Sequence, residues 1–406
     1  MKKMNLNDIK DKDNNKYYFN IPEVVAIVFI TLVFGFFIGT FLTSTNQKKV
    51  TDSNSKELNE FISTYNSITN NYYGKIDKQK LINEAIKGMV SSLGDDYSVY
   101  MDNDETDAFN TSVDGSYKGI GAVVSNVDGK NVITEVFDNT PAKSSGLKAG
   151  DIFSKINGKD VSSLDLESLT NLIKGKENTS VKITIIRNDK EKTFNVVRGN
   201  VDIPTVYSKV FEVNNKKIGY LSLSVFTANS YDQFKNNLNK IEKKKIDSLV
   251  IDLRSNPGGH LSEVSKMLSL FLPKTKILYQ LESKGVKTPT YSYTKEKRDY
   301  KVAVLINGES ASASEVMTAC FKESYDNAVI VGEKSFGKGT VQNAFTLSDG
   351  SCYKFTTQKW LTPKGNWINK KGIMPDYEVS LDDNYKNNPS YENDNQLQKA
   401  LEVLSK

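Results

Sequence analysis

Short apolar segments alternate with helical segments from about residue 201 to residue 385, and this alternation constrains the fold more than any other feature of the chain. Strands that are apolar on both faces are typical of a largely parallel sheet covered by helices. The expected strands are 218–225, 249–253, 302–306, 328–331 and 341–347, and the expected helices are 231–241, 261–272 and 314–321. The pattern predicts an α/β core over residues 201–385.

A second region, residues 104–200, has short strands separated by turn residues, including the strong turn pair Asn157-Gly158. It predicts a compact β-rich unit inserted before the core. The segment Gly119-Ile120-Gly121 begins one of these strands. Its consecutive backbone N–H groups could bind a terminal carboxylate while a peptide adds as an extra strand, although such a tripeptide is weak evidence by itself.

The N-terminal region contains an uncharged apolar run, residues 24–43, that is long enough to cross the hydrocarbon core of a bilayer. We predict a transmembrane anchor over 23–44, and a cleaved signal peptide is the alternative. More lysines precede this run than follow it at comparable distance, so the positive-inside rule puts a tail of residues 1–22 in the cytoplasm. The expected location is the cell membrane, single-pass, with the bulk of the chain outside the cytoplasm.

Two further segments complete the predicted organisation. Residues 45–103 are expected to form a linker and a helical region, because apolar residues there recur at helical spacing. Residues 386–406 are expected to form a C-terminal helix for the same reason. This helix could pack on another subunit, so a homodimer is one option.

Composition narrows the partners and cofactors. The formal net charge of +5 is spread along the chain and does not form the concentrated basic face that nucleic-acid binding needs, so no nucleic-acid partner is expected. Cys320 and Cys352 are the only cysteines, which excludes a disulfide-dense scaffold, and neither has metal-ligand spacing. We expect no metal and no organic cofactor.

The chain has many serines but a single histidine, His260. A serine hydroxyl is a poor nucleophile without a base within hydrogen-bond reach, so a lysine has to be considered as that base. Lys338 lies between two glycines and before an apolar strand, where burial could lower its pKa by the roughly three units that proton acceptance at pH 7 requires. In an extended segment Gln342 would lie on the same side and could hold the amine. A solvated turn with a surface lysine is the alternative, and His260 as the base is another.

The sequence Ser-Ala-Ser-Glu at 312–315 fits a capping box at the start of a helix. A helix N-terminus also stabilises developing negative charge through its free N–H groups, so Ser312 could be a nucleophile at the same place. The turn Gly258-Gly259 follows an apolar strand and could form an oxyanion hole together with the N–H of Ala313. A plain helix cap and a plain strand-to-helix turn are the alternatives.

Taken together, these stretches resemble the carboxyl-terminal processing peptidases, also called tail-specific proteases, which are membrane-tethered or secreted serine endopeptidases with a PDZ domain. The resemblance covers nearly the whole chain after the predicted anchor. Its matching blocks lie in the expected order, at 72–89, 119–158, 252–259, 310–315, 337–342 and 372–376. The order of several blocks is far more specific than any one of them.

The resemblance implies a ClpP/crotonase-like α/β core with an inserted PDZ domain. It implies that Ser312 is the nucleophile, Lys338 the general base and Gln342 the residue that orients the lysine. It further implies an oxyanion hole of Ala313, Gly258 and Gly259, and a PDZ peptide site at Gly119, Ile120 and Gly121. The expected partners are protein substrates with apolar C-termini, cleaved at or near their C-terminal regions through an acyl-enzyme. A catalytically inactive PDZ-bearing scaffold is the alternative.

One departure from the family pattern concerns spacing. Lys338 follows Ser312 by 26 residues, one more than the resemblance implies, so an extra residue is expected in the loop at 323–327. Some family members place an aspartate of a catalytic relay in this stretch. Glu323 or Ser324 falls there in this chain, and neither is expected to act.

Overall fold

The computed structural model describes residues 55–295 and 297–406. The predicted anchor at 24–43 therefore lies outside the described residues. Within the described residues, no helix is both long and apolar enough to cross a membrane.

The helices and strands are numbered here in chain order. The helices are α1 (Lys56–Asn71), α2 (Lys78–Ser91), α3 (Asn103–Asp114), α4 (Pro141–Ser145), α5 (Leu166–Ile173), α6 (Ser230–Glu242), α7 (Leu261–Leu268), α8 (Ala313–Ser324), α9 (Asp383–Asn387) and α10 (Asn395–Ser405). The strands up to the core are β1 (Val99–Met101), β2 (Ser116–Gly119), β3 (Ala122–Val127), β4 (Lys130–Val136), β5 (Ile152–Ile156), β6 (Lys159–Asp160), β7 (Ser180–Arg187), β8 (Lys190–Val197) and β9 (Gly199–Asp202). The remaining strands are β10 (Val206–Val213), β11 (Lys216–Leu223), β12 (Ser248–Asp252), β13 (Ile277–Ser283), β14 (Val286–Tyr291), β15 (Lys301–Ile306), β16 (Ala328–Gly332), β17 (Thr340–Thr346), β18 (Cys352–Leu361) and β19 (Tyr377–Glu378).

The chain divides into two compact units, and the first ends at Ala85. Helix α1 in that unit begins with Ser55, whose side chain accepts from the N–H of Leu58. Several apolar side chains of α1 are exposed, among them Leu58, Phe61 and Ile62. The predicted helical region is therefore helical here. Its apolar stripe is not buried within the described residues.

The core of the second unit is a sheet with the strand order β10-β11-β12-β15-β16-β19, parallel from β11 to β19. Successive residues of β12 point to opposite faces: Leu249 and Ile251 pack under α6, α7 and α8, whereas Val250 packs under α10. All five residues of β12 are buried. The predicted largely parallel, helix-covered sheet is confirmed, and burial on both faces accounts for the apolar run Leu249 to Ile251 inside β12.

The predicted strand at 341–347 was assigned to the wrong sheet. It forms β17, which pairs antiparallel with β18 in a second sheet of order β1-β18-β13-β14. A short turn through Gly350 joins β17 to β18, and such a turn permits only an antiparallel hairpin, whereas a parallel partner would need a long crossover. Strands β1, β13, β14 and β18 were not predicted.

The C-terminal helix α10 packs on the chain's own central sheet, contrary to the option that it packs on another subunit. Its Leu397, Ala400, Leu401 and Leu404 are buried with the sheet residues on that face. Arg254, just past the end of β12, holds the start of this helix: its guanidinium contacts Asp252 at 2.6 Å and Asp394 at 2.7 Å. The ion pair therefore joins the C-terminal helix to the strand end that leads into the glycine turn.

The β-rich unit has its own core and a sheet of order β3-β4-β5-β7-β8. Strand β3 pairs with β4 on one side and is at the edge of this sheet. The turn predicted at Asn157-Gly158 is present between β5 and β6, with a positive φ at both residues. Helix α5 lies beside β3, so an open strand edge and a helix border one groove.

We expect Arg254→Met to lower the free energy of unfolding by about 3–5 kcal/mol, because it leaves Asp252 and Asp394 buried without a countercharge. Urea denaturation followed by tryptophan fluorescence measures this. Lys399→Met removes an exposed ion pair on α10 and is the matched control, with a change of about 0.5 kcal/mol or less. Equal effects of the two substitutions would contradict a structural role for the Arg254 cluster.

Candidate active site

The carboxylate of Glu315, in the first turn of α8, connects the two stretches that sequence analysis singled out. Its Oε2 accepts the N–H of Ser312 at 2.9 Å and the N–H of Lys338 at 2.8 Å. Its Oε1 accepts the hydroxyl of Ser335 at 2.6 Å and the N–H of Gly337 at 2.7 Å. One side chain thus holds the serine turn and the lysine loop together.

Glu315 is fully buried. Burial raises the pKa of its carboxyl above the ordinary value, while the four hydrogen bonds act in the opposite direction. A buried carboxylate is costly unless donors surround it, and four donors on two oxygens supply that compensation. The position of the Glu315 side chain therefore depends on these four donors, because the loss of any one would leave a buried carboxylate oxygen with fewer hydrogen bonds.

Ser312 lies at the N-cap of α8, where the predicted capping box with Glu315 is present. Its backbone has φ 53° and ψ −114°, outside the regions that residues other than glycine normally adopt. Such strain persists only where the surrounding contacts determine it, and it is common at functional sites. Ser312 is partly exposed, while Ala313, Ser314 and Glu315 after it are buried. The turn therefore presents Ser312 at the surface of the core.

The predicted glycine turn lies directly against Ser312. A Cβ on Gly258 would approach Ser312 Cβ to 2.8 Å and the N of Ala313 to 2.9 Å, so a side chain cannot fit there. Buried Asn256 fastens the turn to this neighbour, because its carbonyl accepts from the N–H of Ala311 at 3.0 Å and from the Ser314 hydroxyl at 2.9 Å. The structure thus brings the glycine turn and the serine turn together.

The backbone N–H groups of the three predicted oxyanion donors have different surroundings. The N–H of Gly258 already donates to Oδ1 of Asn256 at 2.9 Å in this conformation. Ala313 is the first residue of α8, where N–H groups have no acceptor within the helix. The bridge between Gly259 and Phe226 uses the carbonyl of Gly258 and the N–H of His260, and not the N–H of Gly259. Of the three predicted donors, Ala313 meets the requirement of a free N–H at a helix start most directly.

The backbone of the lysine loop is held by both tryptophans of the chain. Trp360 Nε1 donates to the carbonyl of Lys338 at 2.7 Å, and Trp367 Nε1 donates to the carbonyl of Gly339 at 2.8 Å. Gly339 is needed because a Cβ there would lie 2.6 Å from Nε1 of Trp367. The two tryptophans therefore fix the loop at its lysine and at the residue that follows.

The Lys338 side chain is half-buried, and its Nζ lies 4.3 Å from the centroid of the Tyr97 ring. Burial and, to a smaller extent, the charge of Lys354 lower the pKa of Lys338, while Asp95 and Glu315 act against them. The predicted lowering is therefore present in direction. It has the predicted cause, which is loss of solvent around the ammonium.

The three predicted catalytic side chains are not joined to one another. Among the described residues, no hydrogen bond links the Ser312 hydroxyl to the Lys338 amine, or the amine to Gln342. The Gln342 amide instead donates to Thr340 Oγ1 at 3.0 Å and Thr356 Oγ1 at 2.9 Å. Catalytic hydrogen bonds are often long in substrate-free proteins, so this arrangement is compatible with the predicted roles.

Sequence reasoning missed the residues that surround the lysine. Tyr97 and Asp95 come from the segment before β1, which was predicted as part of a linker and helical region. Gly94 and the two aspartates after it signal a turn, but nothing local connects a turn to a lysine more than 200 positions away. Only the pairing of β1 with β18 brings that turn to the site.

The other candidates have different roles. Nε2 of His260 lies 3.1 Å from the carbonyl of Val113, and His260 has no hydrogen bond to Ser312 within the described residues. Glu323 accepts from the N–H of Lys364 and from Asn366, away from the lysine loop. The expected extra residue near 323–327 falls where α8 ends and before β16 begins, and Glu315 still bridges the two stretches.

The predicted peptide site lies at the start of β3. Ile120 is buried, and Gly121 has φ 85° with Thr140 packed where a Cβ would be. On the neighbouring α5, Leu169 and Ile173 are buried, whereas Leu172 is 44% exposed. The groove between the strand edge and the helix therefore has an exposed apolar wall.

Comparisons with known proteins agree with this layout. Residues 217–379 match the model described as peptidase family S41, residues 119–197 the PDZ domain, and residues 40–106 the N-terminal domain of the activating protease CtpB. The carboxy-terminal processing protease CtpB of Bacillus subtilis is 39% identical over 353 residues, which are 86% of this chain and 72% of that protein. CtpA of the same organism, also a carboxy-terminal processing protease, is 36% identical over 367 residues, 89% of this chain and 78% of that one.

Among solved structures, the photosystem II D1 C-terminal processing protease has a TM-score of 0.48 to this chain and 24% sequence identity. The match covers 80% of this chain and 88% of that one.

We expect Glu315→Gln to lower the free energy of unfolding by about 2–5 kcal/mol, because the new NH₂ group faces two donors that lose their acceptor. Hydrogen exchange should also accelerate at the backbone N–H of Lys338 or of Gly337, because the Glu315 oxygen that accepts from one of them is replaced by the NH₂ group. Glu309→Gln, an exposed carboxylate six residues earlier, is the control and should change neither quantity. An unaltered stability in Glu315→Gln would show that the bridge contributes little.

Proposed function

The chain belongs to peptidase family S41 as a carboxy-terminal processing serine protease, and on that premise we propose that Ser312 is its nucleophile and Lys338 its general base. The observation that carries the proposal is the shared oxygen of Glu315, which accepts from the backbone of both residues at 2.9 and 2.8 Å. A nucleophile and a base on separate segments need such a common anchor to stay within reach of each other.

In the proposed reaction, neutral Lys338 Nζ takes the proton of the Ser312 hydroxyl while Oγ attacks the substrate carbonyl. The C–N bond then breaks, and the lysine ammonium returns the proton to the leaving amine. Water then attacks the acyl carbon and gives a proton to Nζ. The ester C–O bond breaks, the ammonium returns that proton to Ser312 Oγ, and the acid leaves. The N–H of Ala313, with the glycine turn beside it, would stabilise the oxyanion at the start of α8.

The hydrogen bond from Ser312 to Lys338 is absent from this conformation, and we propose that it forms when a substrate occupies the site. The Lys338 amine is close to an aromatic ring rather than fixed by an acceptor, so its side chain can rotate without breaking a hydrogen bond. Gln342 would then accept from the amine and keep it directed at the serine.

The PDZ domain would bind the C-terminal segment of a substrate. An extended peptide can pair with the open edge of β3, place its carboxylate at the N–H groups of Gly119, Ile120 and Gly121, and direct an apolar side chain to Leu172. Substrates with apolar C-termini fit this groove.

Membrane tethering through residues 23–44, with the protease outside the cytoplasm, is supported by the sequence pattern alone. Extraction with alkaline carbonate and labelling of the N-terminal tail from either side test it.

We expect Ser312→Ala and Lys338→Ala each to abolish cleavage of an unfolded test protein, while His260→Ala keeps it. A serine-reactive acylating probe should label the wild type and not Ser312→Ala. Retained cleavage in both of the first two variants would refute the dyad, and an unlabelled wild type without cleavage would favour a scaffold instead.

The pH dependence should follow the base. Cleavage requires neutral Lys338, so kcat/KM should rise with pH, and because burial lowers the pKa of Lys338 the midpoint should fall below the ordinary lysine value of about 10.4. A pH series with a fluorogenic peptide measures the midpoint. A rise centred at or above the ordinary value would contradict a buried base.

Leu172→Asp should weaken binding of a peptide with an apolar C-terminal residue at least about tenfold, because a charge replaces apolar contact in the groove. Val197→Asp places the same charge on an exposed residue of β8 at the opposite edge of the sheet and should not change binding. Titration calorimetry with the peptide in free-acid and amidated forms also tests the carboxylate, since the amide should bind more weakly.

A further inference from the structure

We propose that the turn formed by residues 95–98 is a positioning device for the general base. In this proposal, Asp95 sets the orientation of the Gln342 amide through the hydroxyl of Thr356, and Tyr97 covers the Lys338 amine. The inference rests on the proposed dyad and deepens it.

The turn is held rigidly at the second sheet. The N–H of Ser98 donates to the carbonyl of Asp95 at 2.9 Å, which closes the turn, and the Asp95 carboxylate accepts from the N–H of Tyr97 at 3.3 Å and from the Ser98 hydroxyl. Strand β1 follows at once and pairs with β18, with Val99 opposite Lys354. The N–H of Thr356 donates to the Ser98 hydroxyl oxygen at 3.2 Å. The turn therefore sits beside Thr356 by strand register.

The proton positions in this cluster follow from its charge. Burial acts to raise the pKa of Asp95, but hydrogen bonds from Ser98 and Thr356 outweigh it and lower that pKa, so the group is a carboxylate at neutral pH. A carboxylate only accepts, so the single hydroxyl proton of Thr356 is donated to Asp95 Oδ2 across 2.6 Å. The Thr356 oxygen can then only accept from Gln342, which it does at 2.9 Å.

This series of hydrogen bonds determines which end of the Gln342 amide remains available to bind another group. Both hydrogens of its NH₂ group are used, one toward Thr356 and one toward Thr340. The amide oxygen is left as the acceptor for an incoming N–H. A neutral amine that donates an N–H to this oxygen keeps its lone pair free for the serine proton, whereas an amide with its NH₂ group turned to the amine would bind that lone pair. The charge of Asp95 thus sets the orientation that a lysine base requires.

Tyr97 acts on the same amine from the other side. Its ring lies 4.3 Å from Nζ, a cation–π distance at which the ring face attracts the ammonium. Burial and the charge of Lys354 lower the pKa of Lys338, whereas the charges of Asp95 and Glu315 raise it. The turn therefore contributes both orientation and environment.

A purely structural turn would have different consequences. Removing one of its hydrogen bonds would lower stability and leave the pH dependence and the role of Gln342 unchanged. The pH dependence of cleavage and its dependence on Gln342 therefore distinguish a positioning turn from a purely structural one.

The first experiment compares Thr356→Val with Thr356→Ser in the full-length protein. Valine has the same shape without the hydroxyl, so kcat should fall roughly 10- to 100-fold with KM little changed, as expected when a base is misplaced. Serine restores the hydroxyl and should restore kcat to within about threefold. Equal rates in the two variants, with unchanged melting temperatures, would overturn the proposal.

The second experiment uses Asp95→Asn with Asp96→Asn, the exposed neighbouring carboxylate, as its control. Asp95→Asn should lower maximal kcat and move the rising limb of the pH profile to lower pH, because a charge that raises the pKa of Lys338 is gone. Lys354→Met should move that limb to higher pH, and Asp96→Asn should change neither. If the rising limb of the pH profile is unshifted in both Asp95→Asn and Lys354→Met, these two charges do not act on the pKa of Lys338 as proposed.

A double-mutant cycle tests the route through Gln342. If Asp95 acts on kcat through this amide, Asp95→Asn should cause no further loss of maximal kcat in a Gln342→Ala background. If the two substitutions lower kcat independently, so that their fold losses multiply, the route through Gln342 is wrong. Failure of the dyad itself is recognised separately, since Ser312→Ala and Lys338→Ala would then retain activity. A correct dyad with a wrong positioning role leaves those two variants inactive and Thr356→Val fully active.

Discussion

The buried carboxylate of Glu315 is the interaction on which the rest of the site depends. An uncompensated charge in the core would cost several kcal/mol, and four donors from two separate segments, the serine turn and the lysine loop, remove that cost together. Because the donors are needed as a set, the serine turn and the lysine loop cannot move independently. Ser312, whose φ is positive, donates one of these four hydrogen bonds.

The site combines two kinds of support. The serine and glycine turns are held at the carboxyl ends of parallel strands, where the Ser310 hydroxyl donates to the carbonyl of Leu253 at 2.8 Å. The lysine comes from the loop before β17, in an antiparallel sheet that β1 completes from a distant part of the sequence. The serine turn is therefore part of the rigid core, while the surroundings of Lys338 require several segments to assemble.

Much of this could be predicted from local pattern. Strands buried on both faces are recognisable by an unbroken apolar run, and residues 302–306 of β15 are the clearest example. Ser312 and Lys338 were singled out because serine at a helix cap and lysine between glycines are unusual in combination, and their catalytic roles stay predictions. By contrast, β13, β14 and β18 were missed, since half-exposed strands have mixed composition. The commitment of the Gly258 N–H to Asn256 depends on a side-chain rotamer, which no spacing rule reports.

The sequence by itself determined the α/β core and the β-rich unit before it, and it pointed to Ser312 and Lys338 as the candidate pair, because periodicity and turn chemistry act over a few residues. Only the tertiary structure decided that Glu315 joins these two residues, that β17 belongs to a second sheet, and that Asp95 and Tyr97 lie beside Lys338. Those outcomes depend on hydrogen bonds between segments up to hundreds of positions apart. Such contacts form through strand pairing and burial, and a local pattern does not contain the partner.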